Sequence, residues 1–244
     1  MLGAGKRIKE EFGLQDEAQA VQEYSALNSE VMYPNYPLIA DEVLLRLGFI
    51  PARILDLGTG LGTLAIEFAK RLPQAKILGL DISPEMLQAA GKRAPEKYKG
   101  LRFVSGDVHK CCLKDSLFDL IVSFGVLHHL HDLRAFFLNV FTPLKSGGAA
   151  FIYDLKKEAP AEIVAEIASG MNPLHQKAFL ESQKESLDRA HLESFLKDIP
   201  FSTYALSQPR YSRSTLIKNK EMLRQSSFLG ERFNSILWEC FLKK

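Results

Sequence analysis

From residue 53 onward the chain alternates short apolar runs with longer stretches in which apolar residues recur every three or four positions. Arg53–Leu57 (RILDL), Lys76–Asp81 (KILGLD), Leu101–Ser105 (LRFVS), Phe118–Ser123 (FDLIVS) and Ala149–Tyr153 (AAFIY) are short, mostly apolar and bounded by turn residues. That is the pattern of strands buried on both faces. Helical segments lie between them. Gly62–Leu72 is closed by Pro73, and Ser83 is a good N-cap with Pro84 in the first turn and Glu85 behind it. Asp132 caps a helix over Leu133–Phe141 that Pro143 stops. Strands alternating with helices predict βαβ units with right-handed crossovers, hence a doubly wound α/β domain with a parallel sheet covered on both sides.

The tail breaks that rhythm. Residues 158–199 read as helical, punctuated by Pro160, Pro173 and Pro200. Ser202–Gln208 and Arg213–Lys218 then resemble two strands joined by Pro209–Ser212, a connection short enough only for an antiparallel hairpin. Glu221–Leu242 reads as a final helix with Leu223, Phe233, Ile236, Leu237 and Phe241 as its apolar stripe and Gly230 as a break.

Composition narrows the function classes. With 244 residues, 31 Lys+Arg against 29 Asp+Glu and a net charge of +2, the chain lacks the basic surplus that wrapping duplex nucleic acid needs. Its length allows one large domain with a real core. Cys111, Cys112 and Cys240 make no disulfide framework, so a reducing, cytoplasmic setting is the expectation. With no third thiol or histidine pair at ligand spacing near Cys111 and Cys112, and His109 near but unplaced, no metal is expected either. The N-terminal charges Lys6, Arg7, Lys9, Glu10 and Glu11 precede no apolar run, and Leu117–Leu127 is broken by Asp119 and Ser123. Neither a signal peptide nor a membrane span is read from the sequence.

The chemistry gathers at the ends of the first four strands. Asp56-Leu57-Gly58-Thr59-Gly60-Leu61-Gly62 follows the first strand and opens a helix, so bare main chain and free amides face a ligand there. The dinucleotide fingerprint G-x-G-x-x-G fails at Thr63, where its third glycine belongs. Asp81 ends the second strand, where a carboxylate can accept both hydroxyls of a ribose. Asp107 and Val108 follow the third, and Ser123 and Phe124 the fourth. Open α/β sheets bind ligands at this carboxyl edge, near the reversal in strand order.

These segments resemble the class I S-adenosylmethionine-dependent methyltransferases, in particular the small-molecule group that includes the ubiquinone and menaquinone biosynthesis enzymes. The resemblance is carried by ILDLGTGLGTLA (54–65), LGLDISPEML (78–87), FVSGDVH (103–109), FDLIVSFGVLHHL (118–130) and LKSGGAAFIYD (144–154), and spans roughly 53–155. It implies a Rossmann-like, seven-stranded mixed sheet with an antiparallel last strand. It implies S-adenosylmethionine as cofactor and S-adenosylhomocysteine as its product. Gly58, Thr59, Gly60 and Gly62 would line the methionine part, with Asp56 holding the loop or meeting the amine. Asp81 would take the ribose hydroxyls, Ile82 and Met86 would pack on the adenine, and Asp107 and Val108 would read its amine and ring nitrogen. Ser123 and Phe124 would face the methyl group, and Tyr36 in the N-terminal cover is the candidate there for touching cofactor or substrate. Methyl transfer is an in-line displacement that relies on positioning in a dry pocket. An acceptor that is a hydroxyl or carbon acid also needs a base, for which His128, His129 and His131 are the nearest candidates.

The resemblance divides the chain into an N-terminal helical cover (1–52), a cofactor core (53–155), a helical lid insertion (158–199), a terminal hairpin (201–219) and a C-terminal helix (221–242). Met171, Phe179, Leu187 and Phe195 are the candidate lid-wall residues. Ser-Phe-Gly after the fourth strand lacks the Pro-Pro-aromatic motif of nucleic-acid amino methyltransferases, which again disfavours nucleic acid and favours a small-molecule acceptor. A homodimer is left open. Two rival functions stand beside this reading: a non-catalytic cofactor-binding partner or sensor docking through 221–242, and a nicotinamide-dependent oxidoreductase, disfavoured by Thr63.

Overall fold

The computed structural model describes residues 12–29, 35–111, 113–220 and 231–244. After two helices, α1 (Glu17–Leu27) and α2 (Asn35–Leu47), come β1 (Arg53–Leu57), α3 (Thr63–Arg71), β2 (Lys76–Asp81), α4 (Pro84–Arg93) and β3 (Leu101–Ser105). β4 (Phe118–Phe124), a 3-10 turn (Leu127–His129), α5 (Leu133–Phe141) and β5 (Leu144–Leu155) complete the parallel part. Three helices follow, α6 (Ala161–Ser169), α7 (Pro173–Glu185) and α8 (Arg189–Leu196). The chain then forms β6 (Thr203–Ser207), α9 (Arg213–Lys218), the short α10 (Glu231–Asn234) and β7 (Leu237–Lys243).

The seven strands form one sheet in the order β3-β2-β1-β4-β5-β7-β6. The first five are mutually parallel, and β7 runs antiparallel to both β5 and β6. All five strands expected between residues 53 and 153 are present, β4 one residue longer and β5 extended at both ends. The caps also form: Ser83 Oγ accepts the Met86 amide at 3.2 Å, and Asp132 Oδ1 accepts that of Ala135 at 2.9 Å. One core face is built around Ile54, Phe68, Val122, Phe151 and Tyr153, the other around Leu55, Ile121, Phe136, Phe137 and Ile152. Residues adjacent on a strand thus go to opposite layers, each buried side chain stabilising by about 1.5–3 kcal/mol.

Three expectations for the tail are corrected. Arg213–Lys218 is a helix: Ser212 Oγ accepts the Thr215 amide at 3.2 Å, and Leu216 and Ile217, which suggested a strand, are exposed. No hairpin joins it to β6, which pairs instead with β7. The expected helix over 221–242 ends as a strand, with residues 221–230 outside the described residues. Leu237, Trp238, Glu239, Cys240 and Leu242 are all buried, because β7 lies between β5 and β6 with both faces covered. A strand buried on both sides loses its alternation, and its apolar run then matches helical spacing equally well.

The insertion is helical as expected, but it does not present one wall. Met171 and Phe179 pack into the core layer that holds Tyr36 and Phe124, whereas Leu187 and Phe195 pack into the opposite one. The helix pair α6/α7 and helix α8 therefore serve different faces of the sheet, α7 touching α1 and the 3-10 turn and α8 touching α5. Among the described residues no helix is long and apolar enough to cross a membrane.

Candidate functional site

The strand order reverses between β1 and β4, and a small pocket lies where these two strands end. Its floor is the loop Asp56–Leu64 and its side is Phe124. Tyr24, Asn28 and Tyr36 of α1, α2 and the residues just beyond α1 close it from above. The loop's shape explains its glycines. Gly58 has φ +70°, and a Cβ there would stand 2.3 Å from Val126 Cγ2, so both backbone and packing demand glycine. Gly60 has φ +52° and open space beside it, which leaves its main chain bare toward the pocket.

Two carboxylates organise the loop. Asp81, at the end of β2, accepts the Gly60 amide at 2.7 Å and the Ser83 amide at 2.9 Å. Burial raises its carboxyl above the ordinary range, against the pull of those amides. Asp56 is buried and accepts the Thr59 hydroxyl at 2.7 Å. Burial pushes its carboxyl up to about 7; the Thr59 hydroxyl works against this and the neighbouring Asp81 charge adds to it. A buried carboxyl beside an open glycine loop suits a cationic group such as an amine, which would favour its ionised form.

The aromatic side is continuous. Tyr36 and Phe124 have ring centroids 5.1 Å apart, and Phe124 and Tyr153 6.2 Å. The Tyr36 hydroxyl accepts Asn28 Nδ2 at 3.0 Å, and burial raises the phenol's pKa well above its usual value. Asn28 thereby joins the site, and also stands 3.4 Å from the Thr63 hydroxyl. Nothing in the sequence singled it out, since one asparagine at the end of an amphipathic helix has no signature.

The remaining candidates fall into three groups. Met86 is buried with Val21 and Leu61, next to the loop, whereas Ile82 is exposed. Asp107 lies beyond β3, outside the pocket lining, and accepts the His109 amide at 2.9 Å and faces His109 Nδ1 at 2.8 Å. Partial burial opposes ionisation there, but the His109 contacts outweigh it and hold the carboxyl below its usual range. Val108 is buried and its carbonyl accepts Asn139 Nδ2 at 2.8 Å. Ser123 is fully buried and donates its hydroxyl to the Leu57 carbonyl at 2.7 Å, tying the ends of β1 and β4 together.

His128 and His129 sit in the 3-10 turn just after β4, their rings 3.9 Å apart. His131 instead stacks on His109 at 4.1 Å. Cys112 lies outside the described residues. Among the described residues no group of three or more His, Cys, Asp or Glu side chains could hold a metal ion.

A doubly wound sheet with a glycine loop after β1 and an acidic residue ending β2 defines a nucleotide-type cofactor fold. Residues 51–198 match the family model described as a methyltransferase domain, and the chain belongs to that family. It is 30% identical over 158 residues to the demethylmenaquinone methyltransferase of Deinococcus radiodurans, covering 59% of this chain and 64% of that protein. It is 36% identical over 97 residues to the same organism's trans-aconitate 2-methyltransferase, covering 40% of this chain and 35% of that one. The chain thus spans about two thirds or less of these curated relatives. Among solved structures, the plantazolicin methyltransferase BpumL in complex with SAH superposes with a TM-score of 0.76 at 17% identity, covering 98% of this chain and 94% of that one. A SAM-dependent methyltransferase from Aquifex aeolicus gives 0.61 at 15%, covering 93% and 98%. At such identities the likeness establishes the fold.

Proposed function

We propose that this chain is an S-adenosylmethionine-dependent methyltransferase acting on a small-molecule acceptor. The observation that carries the reading is the pocket at the β1/β4 switch point, where Asp56, the bare loop around Gly60, and Asp81 stand together under an aromatic cover. When bound, the cofactor supplies an electrophilic methyl group on a sulfonium. Asp56 would meet its ammonium, the main chain of Gly58, Thr59, Gly60 and Gly62 would line its methionine part, and Asp81 would exchange the Gly60 amide for the ribose hydroxyls. Ile82 and Met86 flank the adenine, with Asp107 and the Val108 amide at its edge. Ile82 is exposed and offers an apolar surface for that ring. Ser123 acts through spacing, holding β1 and β4 so that Phe124 presents its ring beside the methyl position. Tyr36, stacked on Phe124, closes the pocket and excludes water, which favours a displacement in which charge is dispersed.

Calorimetry with S-adenosylhomocysteine tests the assignment. Wild-type protein should bind, and Asp81→Ala should weaken binding by about 100-fold or more, because two hydroxyls lose a shared charged acceptor. Absence of wild-type binding, or full affinity in Asp81→Ala, rejects it.

A further inference from the structure

The turn after β3 carries a histidine to which the cofactor reading gives no task. Gly106 donates its amide to the Asp81 carbonyl at 2.9 Å, so the turn begins beside the strand end that holds the proposed ribose acceptor. The next residue, Asp107, is held by His109 twice on one oxygen: the His109 amide at 2.9 Å and Nδ1 at 2.8 Å both meet Oδ1. An ionised carboxylate only accepts, so Nδ1 carries the proton and donates. The His109 side chain is 8% exposed. The His131 ring lies against it with centroids 4.1 Å apart, and its Nε2 is buried with no hydrogen-bond partner among the described residues. The backbone of the turn is fixed as well. Lys110 and Cys111 donate their amides to the Asp107 carbonyl at 3.0 and 2.9 Å, and Asn139 of α5 donates to the Val108 carbonyl at 2.8 Å. Oδ2 of Asp107 is left for an outside donor, since the Lys110 ammonium, 3.6 Å away, sits on a side chain that is 84% exposed and is shared with water.

We propose that His109 is a positioning residue for base recognition: by occupying Oδ1 it turns Oδ2 of Asp107 toward the base, and it thereby makes the site select a purine that presents an amine there over one that presents an oxygen. The inference rests on the cofactor reading above and assigns the residue that sets its base specificity. An exocyclic amine donates to Oδ2, whereas a 6-oxo purine sets a carbonyl oxygen against the carboxylate, and two acceptors face each other unpaired. Without His109 the carboxylate is free to rotate, and selection weakens even where binding survives. A ring that served only to pack the turn would affect both bases alike.

Calorimetry with S-adenosylhomocysteine and S-inosylhomocysteine, its 6-oxo counterpart, separates these roles through the ratio of the two affinities. Wild-type protein should prefer the amino compound by about tenfold or more, as expected for a hydrogen bond to a charged acceptor. His109→Leu should cut that preference by about fivefold or more, and His109→Asn, whose amide can donate where Nδ1 stood, should restore most of it. Asp107→Ala should abolish the preference, and adding His109→Leu to it should change the ratio no further, because His109 acts through Asp107. Should His109→Leu fail to fold, His109→Phe, which keeps a ring against His131 but donates nothing, takes its place. No preference in the wild type, an undiminished ratio in His109→Leu or Asp107→Ala, or a loss that His109→Asn does not relieve overturns the proposal. Two-bond nitrogen–proton correlation spectra of the ligand-free protein give a second check: His109 should be the Nδ1–H tautomer, and an Nε2–H form overturns the contact. Wild-type protein that binds neither compound rejects the cofactor reading and the base specificity with it, whereas an unmoved ratio in the His109 variants rejects the role of His109 alone.

Discussion

The sheet is built in two ways on either side of β4. From β3 across to β4 neighbours are parallel, β1, β2 and β3 being joined by local crossovers before the chain returns to pair β4 with β1, and the loops at their carboxyl ends carry the proposed cofactor groups. From β5 to β6 the order is closed by a strand from the far end of the chain: Tyr153 pairs with Glu239, 86 residues later. That half is also tied by buried charge. Glu239 accepts the Tyr153 hydroxyl at 3.0 Å and Arg46 Nη1 at 2.5 Å, and the Arg46 guanidinium lies 5.0 Å from the Phe151 ring centroid. The comparison teaches a division of labour, in which local βαβ units place ligand groups while non-local pairing and an internal ion pair close the sheet.

The sharpest way to break that division is Glu239→Ala. It strands the Tyr153 hydroxyl and Arg46, which is one-third exposed and so partly rescued by water. The expected cost is about 3 kcal/mol in denaturant unfolding. Affinity for S-adenosylhomocysteine should change less than twofold, and a large loss would show that the two halves are not separable.

A smaller effect probes the cofactor half through Asp56. Its folded pKa, about 7, lies above the ordinary aspartate value of 3.8. The folded protein therefore holds a proton that the unfolded chain releases, and this contribution to stability is fully present below about pH 4 and is lost as pH rises to 7. Binding an ammonium requires the ionised form, so a proton leaves on binding below pH 7. Affinity for S-adenosylhomocysteine should rise by roughly 20-fold between pH 5.5 and 7.5, and Asp56→Asn should flatten the profile. Calorimetry in buffers of different ionisation enthalpy counts the proton directly.

The smallest effect tests the corrected tail. Ser212→Ala removes the cap of α9 and should cost about 1 kcal/mol in thermal unfolding, leaving cofactor affinity unchanged. A strand over 213–218 would feel no such loss.

Legibility followed the same boundary. The β1–β4 half could be read because each strand is bounded by its own turn chemistry: Asp56 to Gly62, Ser83 with Pro84, and Asp107 all announce themselves locally. Ser123 was placed correctly at the end of β4, but its hydroxyl turns to Leu57 rather than toward a ligand, a direction that spacing cannot reveal. Asn28 entered the site, and Asp154 reached His128, through contacts between elements distant in sequence.

What the sequence by itself determined is the doubly wound frame and the set of groups at its carboxyl edge, since glycine conformations, caps and strand lengths are dictated by neighbouring residues. Only the tertiary structure decided that Leu237–Lys243 is a strand and Arg213–Lys218 a helix. The first is covered on both faces between β5 and β6, and the second is fastened by Thr215 and Lys218 to Glu42 and Asp41 of α2. Local pattern sets what a segment can form. Which surface comes to cover it is settled by partners far along the chain, and at those positions burial outweighed propensity.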